Sequence, residues 1–349
     1  METVEINQLL QHLADEEAPL AVARLYSLSD LSEENVVQFR RVWPRIPVER
    51  RRQVVSFLFD IAESSFEVNF EPVFCACIDD PDEEVRSRSV EGLWESEDVS
   101  LVVPLLEMAE NDPAVRARAA ALGVLGQFVL LGELDRISPQ HRMAIEDVLL
   151  AVFRSPSESV EVRRRAVEAL AYSSRKEVPG VIESAYYHND RLMRVAAVFA
   201  MGRSLDSQWE PLLLDELRSH DPELRYEAAR ACGELELASA IPLLAELLAD
   251  EDREVQEASI WALGQIGGQM ARQILEAHYE TVDKGDDALR EATEEALSEL
   301  ALASGAVQFP LYEYGEGTES ETGGWAEDWL GGVLDSRADE AALEDPNDD

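Results

Sequence analysis

Cysteine is scarce. Cys75, Cys77 and Cys232 are the only three in 349 residues, too few for a disulfide framework and without the paired CxxC spacing of a structural metal site. They fit a reducing compartment, and the cytoplasm is the expected location. The five histidines, His12, His141, His188, His220 and His278, are scattered, and none has the i, i+4 partner that metal-bearing helices use. A Gly-rich phosphate loop, a GxSxG elbow and a cysteine with an evident base partner are all lacking. No catalytic residue, metal or cofactor is therefore expected. Positive charge is short as well: 30 basic residues face 72 acidic ones, a formal charge of −42. Phosphate neutralisation requires the opposite balance, so nucleic acid is not an expected partner. Anionic membranes are repelled too, whereas basic proteins are attracted. Lysine occurs only as Lys176 and Lys284, and the other bases are arginines. The N-terminus lacks a basic region followed by an apolar core, and no continuous apolar run reaches 18 residues.

What the chain has instead is repetition. Asp221-Pro222-Glu223-Leu224-Arg225 begins a short helix with an N-cap and a first-turn proline, and Gly233 reads as its close. With the arginine as anchor, versions recur at Arg86, Arg116, Arg163, Arg194, Arg225, Gln256 and Arg290, at spacings of 30, 47, 31, 31, 31 and 34. A period near 31 marks a repeat architecture. Four residues before each anchor stand Asp82, Asp112, Ser159, Asp190, Asp221, Asp252 and Asp286, all capping types. Small residues recur three and six places after it, on the face where helices approach closely. The copy at Arg116 breaks rank at the sixth offset with Leu122. Upstream of each anchor lies a second apolar helix, with Pro72, Pro211 and Pro242 each 14 residues ahead of their anchors. Each unit is helix, turn, helix, and such pairs bury their apolar faces only by stacking.

The runs Asp112-Pro113-Ala114-Val115-Arg116, Asp221-Pro222-Glu223-Leu224-Arg225 and Ala262-Leu263-Gly264-Gln265-Ile266-Gly267 resemble HEAT repeats, of the subtype called PBS-lyase HEAT-like. The resemblance covers about residues 66–303 and implies an all-α superhelix, a HEAT-like solenoid of about seven to nine stacked helical pairs. It also implies a ladder in which Arg194 and Arg225 pair with capping aspartates of neighbouring repeats, with Gln256 departing from the pattern at its rung. HEAT-repeat hydroxylases carry His-Glu dyads, and this sequence has none.

Three regions follow. Residues 1–65 read as an N-terminal helical cap, residues 66–303 as the solenoid with an insertion near 129–145, and residues 304–349 as an acidic, disordered tail. The tail holds 13 acids against one base, Arg337, too polar to bury a core. Within the cap, Arg40, Arg41, Arg45, Arg50, Arg51 and Arg52 form one basic island, either a docking patch or a solvated face.

The function expected is a scaffold or adaptor that binds a basic protein. At 100° per residue, the first and fifth positions after the anchor point away from the packed face, and the resemblance places that face on the concave side of the superhelix. The candidate binding residues are Arg164, Glu168, Val195, Phe199, Tyr226, Arg230 and Trp261, because aromatic and apolar side chains where solvent is expected are candidate anchors. Trp325, Trp329 and Leu330 form a second, tail-borne motif at nearly helical spacing, with Val333 and Leu334 beside them. Two alternatives stay open: a chaperone-like shield for a basic protein, and a lyase-like enzyme acting on a protein-bound chromophore. Cys232 is the nucleophile the latter would need, although its helical position reads as packed.

Overall fold

The computed structural model describes residues 3–15, 18–65, 67–282 and 286–303. The chain divides into Met1–Ala303 and Ser304–Asp349, and every described residue belongs to the first unit. The tail motif Trp325, Trp329 and Leu330 lies outside the described residues.

Among the described residues the structure is helical throughout, with no strand. After α1 (Thr3–Ala14), helices alternate between two layers. The first layer comprises α2 (Glu33–Val42), α4 (Glu71–Cys77), α6 (Val102–Asn111), α8 (Pro139–Arg154), α10 (Val178–Tyr186), α12 (Glu210–Glu216), α14 (Ile241–Leu247) and α16 (Gly268–Thr281). The second comprises α3 (Val48–Ser64), α5 (Glu83–Glu91), α7 (Val115–Glu133), α9 (Val160–Leu170), α11 (Arg191–Arg203), α13 (Pro222–Glu234), α15 (Arg253–Ile266) and α17 (Asp287–Ala303). Within the second layer each helix packs on the next, from α3 through α17. One apolar core runs the length of the stack, as expected when each pair can be buried only by its neighbours.

The helices begin where their caps are. Asp82, Ser159, Asp190, Asp221 and Asp252 each accept a hydrogen bond from a first-turn N–H of the helix that follows. Asp112 does not cap: α7 starts at Val115, and its N-cap is Ala114. In the second-layer helices the anchor is the fourth residue, so the anchor of α7 is Arg118 and not Arg116. Arg118 donates to the Asp112 carbonyl six residues back at 2.7 Å, as Arg86 does to Asp80, Arg225 to Ser219 and Gln256 to Asp250. Arg116 is left exposed. The same count makes Arg51 the anchor of α3, within the stretch read as lacking the repeat signature.

The ladder exists but runs to other carboxylates than expected. Arg225 forks onto Asp250 at 2.7 and 2.7 Å, and Arg86 onto Asp112 at 2.8 and 2.8 Å. Arg51 reaches Asp80 at 2.6 Å. These acceptors lie six residues before the next anchor, and each also ties down a loop N–H, of Asp252, Ala114 or Asp82. Burial opposes ionisation of Asp250, but Arg225 and the backbone N–H groups of Asp252 and Glu251 together outweigh it and hold its carboxyl below the usual range. Arg194 pairs with Glu216, which also accepts from Tyr186. The capping Asp221 and Asp286 take Arg191 and Arg253 instead, at 2.8 and 2.6 Å. At Gln256 the rung is lost, and only the bond to the Asp250 carbonyl remains.

Two further expectations change. Gly233 does not close its helix. α13 continues to Glu234, and the left-handed residue of the cap is Glu236, at φ 50°. A Cβ on Gly233 would stand 2.9 Å from Ala262 Cα, and one on Gly202 would stand 2.8 Å from Ala231 Cα. Glycine is needed at these positions because adjacent second-layer helices touch backbone to side-chain stub. The 47-residue interval is filled by long helices, α7 and α8, which are joined by a short turn. α7 is long and apolar enough to cross a membrane by length and mean hydropathy, but most of it is buried against other helices of the stack.

The basic island is split: Arg50, Arg51 and Arg52 turn toward the stack, whereas Arg40, Arg41 and Arg45 are exposed. Arg51 and the Trp43 indole N–H both donate to the buried Asp80, at 2.6 and 2.7 Å. Arg52 forks onto Asp82, Arg50 reaches the Ala18 carbonyl and Arg40 the Cys75 carbonyl. These side chains tie α3 and α2 to the rest of the stack.

Candidate functional site

Second-layer helices are covered on one side by the first layer and on two others by their neighbours, so only a narrow stripe of each meets solvent. The fifth position after the anchor lies on that stripe. The first position is pulled toward the adjacent helix, and its exposure varies. Val195, at a first position, is therefore buried, 7% exposed, within the core cluster. Ala121 is buried because the α7 register is shifted by two, and Gly123 takes the outward place. Arg164 and Glu168 close on each other at 2.5 Å, with Arg165 also on Glu168 at 2.8 Å. They form a surface ion pair outside the grooves described next.

The structure brings together Phe199, Tyr226, Arg230 and Trp261. Tyr226, Arg230 and Trp261 line a groove of about 710 Å³ between α13 and α15. Phe199, Tyr226 and Arg230 line a smaller one of about 110 Å³ between α11 and α13. Arg230 joins the two, its guanidinium 3.7 Å from the centre of the Trp261 ring, a cation–π contact that holds the indole in place. Arg203 lies over Phe199 at 5.4 Å and pairs with Glu234 at 2.9 Å. The aromatic rings are half-buried, packed at one edge on the core and open at the other.

Carboxylates dominate the rest of the larger groove: Glu223, Glu227, Asp252, Glu254 and Glu257 line it, with Arg230 as its one base. Glu227 sits between the two grooves. Burial, reinforced by the charges of Glu168 and Glu234, pushes its carboxyl up to about 7 against the pull of Arg230 and Arg203. Glu234 is raised as well, by burial, with Arg203 and Arg230 opposing. Glu227 was missed at the sequence level because it occupies the second position after the anchor, and only the first and fifth were read as outward. Glu223 and Glu257 are already paired, with Arg191 at 2.6 Å and Arg253 at 3.0 Å, so a cation entering the groove would meet Glu227 and Glu254 first.

Chemistry elsewhere is sparse. Cys232 is buried, and burial pushes its thiol up to about 12, far from a thiolate nucleophile at neutral pH. Cys75 is likewise raised to about 12 by burial. Among the described residues no group of histidine, cysteine and carboxylate side chains is placed to hold a metal ion. Trp209 fills the space between repeats, buried, with its indole N–H on the Ser204 hydroxyl at 3.2 Å.

Residues 210–298, the span from α12 through most of α17, match the family model of HEAT repeats. No curated protein matches by sequence. Among solved structures, the chain is similar to the complex of CpcE and CpcF of phycocyanin lyase from Nostoc sp., at 14% identity and a TM-score of 0.49, over 82% of this chain and 97% of that one. It is similar to human deoxyhypusine hydroxylase at 18% identity and a TM-score of 0.33, over 86% and 96% of the two chains. For importin beta the values are 15% and 0.43, over 86% of this chain and 48% of that one.

Proposed function

We propose that this HEAT-repeat solenoid is a binding scaffold that takes a basic segment of a partner protein across α11, α13 and α15. The observation that carries the reading is the groove of about 710 Å³ where Tyr226 and Trp261 stand among five carboxylates and one arginine. Aromatic anchors supply desolvated contact area, and the carboxylates supply orientation and attraction for arginine or lysine side chains. The formal charge of −42 steers the same partner from a distance. Binding on this reading is coupled to Glu227. An incoming cation favours its charged form and lowers its pKa from about 7, so the partner's affinity falls as pH drops below 7 and the free protein takes up the proton.

The test is affinity capture on the full chain, wild type against a Phe199→Glu/Trp261→Glu variant whose helicity is checked by circular dichroism. A basic protein retained by the wild type, released by salt and absent from the variant supports the reading. Equal retention by both removes the groove from consideration.

A further inference from the structure

A second groove, of about 720 Å³, lies on the same layer toward the other end of the stack, across α3, α5, α7 and α9. Its floor is the outward face of α7, where Ala119, Ala120 and Gly123 bring only small side chains. Phe59 and Trp94 also line it, and Trp94 is 52% exposed, an indole left largely in water. A Cβ built on Gly123 would meet nothing within 4 Å. Glycine here serves no packing purpose, unlike Gly202 and Gly233, and a helix-interior glycine without one costs about 1 kcal/mol relative to alanine.

The charge of this groove departs from that of the chain. Arg116, displaced from the ladder by the two-residue register shift, is exposed at the groove and pairs with no carboxylate among the described residues. Arg88 and Arg165 border it too, held by i,i+3 pairs to Glu91 and Glu168 at 2.9 and 2.8 Å. Arg88 is half-buried and also lies over the Phe59 ring, 4.0 Å from its centre, so of the three bases only Arg116 stands without a partner among the described residues. Glu63, Glu91 and Glu161 also line the groove, so three bases balance three acids where the other groove sets one base against five acids.

We infer that this groove is a second docking site, taking an acidic protein segment that carries a bulky apolar side chain. The side chain fills the space above Gly123 between Phe59 and Trp94, and a flanking carboxylate takes Arg116. A basic segment has no reason to choose this groove over the more acidic one.

The experiment uses the full chain and two fluorescent synthetic peptides of equal length, each with a central tryptophan, one flanked by glutamates and one by lysines. Anisotropy should show saturable binding of the glutamate peptide to the wild type, weakened about tenfold or more by Gly123→Leu, which fills the floor, and by Arg116→Glu. Gly123→Leu enters open space, so its melting temperature should not fall, which separates loss of binding from loss of fold. Weakening of the lysine peptide by the same substitutions to the same extent, or indifference of the glutamate peptide to both, overturns the inference. Self-association of the wild type that Gly123→Leu abolishes would assign the groove to a second copy instead. Peptide binding that emerges only once residues 304–349 are removed would assign it to the chain's own acidic segment.

Discussion

The two grooves occupy one layer of one repeat architecture, yet they are opposites in what fills the outward stripe. Across α13 and α15 the fifth position after the anchor holds Arg230 and Trp261, stacked on each other and ringed by acids. In α7 the same position is Gly123, with open space above it and an uncompensated Arg116 two turns away. Beneath both, the anchor side chains perform the same task, each bonded to the carbonyl six residues back. Architecture therefore resides in positions that repeat, and recognition in positions that do not.

The largest effect separates the buried ladder from its exposed counterpart. Arg225→Ala leaves Asp250, whose side chain is 7% exposed, without its fork, and should cost about 2–3 kcal/mol in chemical denaturation. Arg253→Ala removes an equally short bond from a side chain 50% exposed and should cost less than about 1 kcal/mol. Because Asp250 ionises more easily folded than unfolded, the contribution of its rung is complete above the ordinary aspartate pKa. It fades as pH falls through the lower folded value.

The next contrast is one substitution with two signs. Gly233→Ala forces a Cβ to within 2.9 Å of Ala262 Cα and 2.6 Å of the Trp261 ring, and should destabilise by about 1–3 kcal/mol. Gly123→Ala meets nothing and should stabilise by about 1 kcal/mol. Thermal melts of the two variants, measured together, read both.

Glu227→Gln is a smaller and pH-dependent change. Glu227 holds its proton up to about 7 when folded, well above the ordinary glutamate value near 4.3. Its ionisation therefore burdens the fold increasingly as pH rises between those values and by a constant amount above them. The glutamine variant should match the wild type at pH 4 and exceed it at pH 8, by on the order of 1 kcal/mol for a half-buried group. Denaturant midpoints at the two pH values decide it.

Much of the fold was legible in the residues. The period near 31, the capping aspartates and the prolines 14 before the anchors gave the helix pairs, because each is a local signal. The misreadings came where one local pattern serves two places. Asp112-Pro113-Ala114-Val115-Arg116 imitates Asp221-Pro222-Glu223-Leu224-Arg225, but Asp112 is engaged by Arg86 of the preceding repeat and the helix starts two residues later. Only the irregular Leu122 hinted at the shift. Arg51 was hidden among its basic neighbours, of which Arg50 and Arg52 also turn toward the stack while Arg40, Arg41 and Arg45 stay exposed. At the site, Phe199, Tyr226, Arg230 and Trp261 were visible as aromatic and charged residues at outward offsets. Val195 failed because the first offset faces the adjacent helix as much as solvent. The groove at Gly123 was invisible, since an absent side chain carries a signal only once its surroundings are known.

The most direct measurement is a double dissociation on the full chain, titrating the lysine-flanked and glutamate-flanked peptides against wild type, Trp261→Glu and Gly123→Leu. Trp261→Glu should weaken only the lysine peptide, and Gly123→Leu only the glutamate peptide. A single substitution that weakens both peptides equally, or neither substitution weakening either, would contradict the separation of the two grooves.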